Sequence, residues 1–211
     1  MADVIDAPAP PGARAEPPHG GPRIVEARIP DTIVPIRLVW AGALVLALLI
    51  VAIAVDKLWP LEFFHVAFGA FWTIMDLFLG LLLGPILGTM TLEGRMELTR
   101  RLMPKIAVIM PVAVTCTLAA GWQLGRHLGT VDSSYMNHDW IVASYIVVGA
   151  LAIVALGVME PANVAVLFEL RKRRPNPQVI GRLMQRFIYT TGVIGLGQVA
   201  TLVIMTKVAS G

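Results

Sequence analysis

The chain has 211 residues, of which 56% are apolar and only 15% charged, and its mean hydropathy is +0.73. Ordinary globular domains carry about 25% charged residues, so an ordinary soluble domain is excluded and the bilayer is the expected solvent for most of the protein. The single Cys116 rules out an intrachain disulfide, and the formal charge of +3 is informative only through where the basic residues fall.

Residues 1–35 hold eight of the fifteen prolines, charges of both signs and almost no aromatic residue. That composition predicts a disordered tail. A secretory leader needs an apolar stretch soon after a basic start and a small-residue cleavage site, and neither pattern is legible here, so the tail reads as uncleaved.

Beyond Arg37 charged residues fence off long apolar runs. Arg37 to Asp56 encloses 18 uncharged residues, and Lys105 to Arg126, Asp139 to Glu160 and Arg186 to Lys207 enclose 20 each. Each run is long enough to cross a hydrocarbon core of ~30 Å at ~1.5 Å per helical residue. A fifth stretch, Phe63 to Leu87, is as apolar but carries His65 and Asp76. The expectation is an all-α membrane domain over residues 36–208, a bundle of five transmembrane helices near 37–56, 62–88, 105–125, 140–168 and 186–207. The runs lack the two-residue alternation of a transmembrane β-barrel.

Fourteen of the seventeen Lys and Arg residues fall in the tail, the loop after helix 2 and the loop after helix 4; Lys57, Arg126 and Lys207 fall on the opposite side. The positive-inside rule then predicts a cytoplasmic N-terminus and an outside C-terminus, as in a multi-pass protein of a bacterial inner membrane. Trp40, Trp59, Trp122 and Trp140 fall at predicted span ends, where interfacial tryptophans gather, whereas Trp72 lies mid-span. The Arg171–Arg174 basic run reads as an orientation signal facing anionic lipid rather than a nucleic-acid patch.

Ionisable side chains inside a span cost ~2.5–3.5 kcal/mol on insertion scales, so each needs a reason. His65 and Asp76, 11 residues apart, fall within about 20° of one helix face, with Trp72 about 20° to the other side; ~16 Å along the axis separates the two, too far to share one metal ion. His65 reads either as a ligand or as an interfacial histidine bonded to a loop carbonyl. Asp76 is expected to face the bundle, protonated or paired with Gln198 or a helix 3 threonine, with a proton-relay role as the functional alternative. Glu160 precedes Pro161, which predicts a kinked helix 4 with Glu160 near the inner boundary, the ordinary reading being a bond to a nearby arginine. The glycines Gly80, Gly84 and Gly88, and Gly192, Gly195 and Gly197, predict close helix contact, within the bundle or in a homo-oligomer.

On the outer side, His127, Met136 and His138 are ligand types suited to copper or another late transition metal, and His65 belongs to the same face in this topology. No spacing motif fixes a geometry. Nucleotide-binding and hydrolase fingerprints are absent, which leaves those chemistries without support.

The string Phe64-His65-Val66-Ala67-Phe68-Gly69-Ala70-Phe71-Trp72 resembles the first conserved span of the CopD-like copper-resistance membrane proteins, with Gly four and Trp seven residues after His. Arg100-Arg101-Leu102, Ile109-Met110-Pro111, Thr115 and Gly121-Trp122 are similar to helix starts in HemJ-type haem proteins. The resemblance implies b-type haem with His65 as an axial ligand; the leading reading built on it takes His127 or His138 as a candidate second ligand and Trp72 as part of the pocket wall. Copper uptake through His138, Met136 and His127, with Asp76 lining the path, is the alternative it implies. A non-catalytic subunit whose glycine faces meet partner helices is the third reading.

Overall fold

The computed structural model describes residues 35–172 and 174–210; the expected disorder of the N-terminal tail lies outside these residues. Five helices account for the fold: α1 (Ile36–Val55), α2 (Leu58–Thr89), α3 (Leu92–His127), α4 (His138–Leu170) and α5 (Pro177–Ser210). All five are long and apolar enough to cross a membrane, and no strand occurs among the described residues. Their outer faces expose large apolar side chains such as Leu44, Ile146 and Val193, which a lipid solvent accommodates.

The axial element is α3, which packs against each of the other four helices. Its inner face supplies Met103, Ile106 and Met110 to the main core, where they meet Leu79 of α2, Val166 of α4 and Phe187 of α5. A second cluster joins Leu49 and Ala52 of α1 to Phe64 of α2 and to Cys116 and Ala120 of α3.

Two helices extend well past their expected starts. The expected span 105–125 is the second part of a 36-residue helix, ~54 Å long against a hydrocarbon core of ~30 Å, and the expected 186–207 begins at Pro177. Charges mark where lipid ends, not where a helix ends, and Leu, Met, Arg and Glu favour helix in water as well. Local capping sets the true starts. The Thr91 hydroxyl accepts from the Gly94 N–H, and the Asn176 side-chain oxygen accepts from the N–H groups of Gln178 and Val179, ahead of Pro177 in the first helical position. Arg95 reaches back to donate to the carbonyls of Gly88 and Met90, placing a cation on the exposed carbonyl end of α2.

Helices α2 and α4 share an interruption. In each, the α-helix widens into a π segment, Phe78–Leu83 in α2 and Ala155–Met159 in α4. In each, a proline follows as the second residue after that segment: Gly84-Pro85 in one and Glu160-Pro161 in the other. Proline has no N–H to donate and its ring crowds the carbonyl four residues back, and a wide turn relieves both conflicts. The kink expected at Pro161 is therefore expressed as a π segment just before it.

The glycine stripes pack within the bundle. A Cβ added to Gly80 would run into the Gly192 backbone, one on Gly84 would strike Ile188, and one on Gly195 would press on the backbone of Asp76 and Leu77. Helices α2 and α5 thus cross backbone to backbone, as small residues allow in lipid. Gly197 packs against Leu151 of α4, and Gly88 faces open space.

Candidate functional site

Next to that crossing lies Asp76, 1% exposed and ~27 Å from the start of α2, placed there by the inward stripe of Leu61, Phe64, Trp72, Thr73 and Asp76. Its Oδ2 accepts a hydrogen bond from Gln198 Nε2 of α5 at 3.1 Å. Its Oδ1 has no partner among the described residues, and neither has Gln198 Oε1. Of the two pairings anticipated for Asp76, the structure takes the glutamine; the α3 hydroxyl of Thr117 is spent on the Ala113 carbonyl.

Asp76 and Trp72 line a cavity of about 20 Å³, room for about one water. Its other walls are Met110, Pro111 and Val114 of α3, Phe187 of α5, and the α4 stretch holding Met159, Glu160 and Asn163. The two π segments converge on this place. One begins two residues after Asp76 and the other ends one residue before Glu160.

Glu160 is half-buried and accepts from Asn163 Nδ2 at 3.3 Å. The expectation of an arginine partner is corrected: the chain turns this carboxylate toward the cavity and an amide. Asn163 itself is 1% exposed, and its Oδ1 has no partner among the described residues. Sequence reasoning missed Asn163. A signal was present, because three residues on from Glu160 is the same helix face.

Two carboxylates and an amide therefore share one small cavity, with no Lys, Arg or His in its lining. Buried polar atoms left unpaired cost about 1–3 kcal/mol each, and more when charged, so this arrangement is expensive unless something fills it.

The histidine positions separate. His65 packs its ring on Gly121 of α3, where a side chain would collide with it, and its Nδ1 donates to the Thr117 carbonyl at 2.9 Å. The expected loop carbonyl is replaced by a helical one, left exposed to the ring because Gly69 and Gly121 thin the α2–α3 contact. Trp72, expected beside His65 in a pocket wall, lines the Asp76 cavity instead.

His127 ends α3 and lies 3.5 Å from Asp56 Oδ1, at the corner between α1 and α2. Gln123 Nε2 donates to the same oxygen at 2.9 Å, and together these partners hold the Asp56 carboxyl below its ordinary range. His138 begins α4 with its Nδ1 buried and unpartnered among the described residues, while Met136 points outward at 85% exposed. Asp132, whose carboxylate accepts from the Ser134 N–H, is held low chiefly by that bond, with a smaller contribution from His138. Among the described residues no group of three or more His, Cys, Asp or Glu side chains is placed to hold a metal ion. Along α3 alone, ~9 Å separates Gly121, against which His65 packs, from His127.

A separate apolar groove of about 380 Å³ runs between α1, α2 and α3, lined by residues such as Gly42, Val45, Phe63, Phe71 and Val112, and His65 is not in its wall. Comparison of the chain with protein-family models, with curated proteins and with solved structures finds no match.

Proposed function

We propose that this membrane protein moves a small cation, the proton included, through the Asp76–Glu160 cavity. The observation that carries the reading is the pair of unpartnered oxygens, Asp76 Oδ1 and Asn163 Oδ1, on residues that line one water-sized cavity between α2, α3, α4 and α5. Ionisable groups inside a bundle mark ion and proton paths. Proline-interrupted helices in corresponding positions mark the same thing, because they bring irregular backbone to a cavity rather than to lipid. Gln198 fixes Asp76, Asn163 fixes Glu160, and the wide turns beside each carboxylate give its helix a place to flex.

The test is flux into proteoliposomes carrying the purified chain, read with proton- and sodium-sensitive dyes under an imposed gradient. Ion entry above that of empty vesicles is expected, together with its loss in Asp76→Asn. Flux equal to that of empty vesicles for both ions removes the reading.

A second reading keeps the metal chemistry implied by the CopD-like and HemJ-type resemblance, and one observation favours it. His65 commits Nδ1 to the Thr117 carbonyl, which fixes the ring and leaves Nε2 as the ligand nitrogen, as is usual for histidines bound to a metal. A b-type haem or a copper ion would be held through that nitrogen. Protein purified after haem supplementation should then show a Soret band that His65→Ala abolishes, or copper by elemental analysis; a colourless, copper-free preparation ends this reading.

A further inference from the structure

We infer that the Asp76 cavity is a binding site for one dehydrated sodium ion, an assignment that rests on the cation-moving reading and names its ion. The fully buried side-chain atoms left without a partner around the cavity are oxygen acceptors: Asp76 Oδ1, Asn163 Oδ1 and, on the residue that anchors Asp76, Gln198 Oε1. Water would satisfy acceptors through its two hydrogens, but a cation satisfies acceptors alone.

The chemistry narrows the ion. The unpartnered carboxylate and amide oxygens are hard donors, which suit a hard cation. The volume, about 20 Å³, admits a bare ion or one water and excludes organic cations. The unpartnered buried oxygens belong to one carboxylate and two amides, and Glu160, which accepts from Asn163 Nδ2, brings a second carboxylate to the lining. Calcium takes six to eight oxygens and magnesium keeps several waters, more than this cavity accommodates. Met110, Val114, Met159 and Phe187 supply apolar walls around these oxygens.

The experiment uses the full chain in detergent, with its thermal unfolding midpoint followed as sodium chloride replaces choline chloride at constant ionic strength. Linkage predicts a midpoint that climbs with the logarithm of sodium concentration, by about 5 °C or more at a hundredfold excess over Kd. Potassium should give a smaller rise, and Asp76→Asn should abolish the sodium response. Should that variant fail to fold, titration calorimetry of the unaltered chain with sodium chloride, and of Asn163→Ala, replaces it, with affinity at least tenfold weaker expected for the latter. Equal midpoints in sodium and choline overturn the assignment, and so does a response to calcium without one to sodium. A sodium response without flux leaves the site standing and removes transport; proton flux without a sodium response does the reverse.

Discussion

Gly80 of α2 and Gly192 of α5 meet backbone to backbone, so closely that a methyl group on Gly80 has nowhere to go. Three residues further along α5, Gly195 lies against the backbone of Asp76 and Leu77, and three further still Gln198 reaches Asp76. The polar bond at the centre of the bundle depends on this close approach.

Gly80→Ala is therefore expected to destabilise the protein by about 1–3 kcal/mol, the usual cost of overpacking a tight contact. Gly88→Ala, at a position facing open space, should leave stability within about 0.5 kcal/mol of the parent. Reversible unfolding in mixed micelles measures both, and equal behaviour of the two variants would contradict the crossing.

Gln198→Ala should cost about 1–3 kcal/mol, because it strips Asp76 Oδ2 of its donor while leaving the carboxyl group buried. In a double-mutant cycle with Asp76→Ala, the combined loss should be smaller than the sum of the two single losses, since the second change removes what the first left unpaired. Strict additivity would show that the 3.1 Å contact carries no coupling.

At the α1–α2 corner, the Asp56 carboxyl is held below its ordinary value of 3.8 by the Gln123 amide first, with His127 adding to the effect. A carboxyl depressed in the folded state stabilises it above the unfolded-state pKa, and that contribution fades as pH falls through the lowered value. Titration followed by carbon-13 NMR of the Asp56 carboxyl should show a midpoint below 3.8, moving upward in Gln123→Ala. A midpoint that ignores the substitution would sink this attribution.

Gly121→Ala should push the His65 ring off its seat on α3 and break the bond to the Thr117 carbonyl. Nitrogen-15 NMR of the imidazole reads this directly: a protonated, hydrogen-bonded Nδ1 in the parent and its loss in the variant. An unchanged tautomer would mean that the ring has another place to sit.

The five helices were legible because uncharged runs of span length have few other uses. Asp76 was legible as well, since a carboxylate in such a run has to find a partner and Gln198 was one of few in reach. The wide turns were not legible, although Gly84-Pro85 and Glu160-Pro161 carried a signal, because a proline states that a helix must yield without stating how. The early starts of α3 and α5 were hidden because a charge marks the edge of the lipid and is silent about the end of the helix. The outer histidines share a side in sequence bookkeeping, but closeness across helix ends depends on loop paths that composition does not encode.

Each π segment holds one residue more than a regular helix needs over the same length, so the side chains beyond it are turned by about 100° relative to an unbroken count. Excising a single residue from Ala155–Met159 would restore plain α-helix and leave Glu160 and Asn163 facing Asp76, whereas forcing the full-length segment into plain α-helix, with no residue removed, would swing both away from it. A change that straightens the turn without shortening it should do more harm to the cavity than the deletion does, because what the wide turn stores is phase.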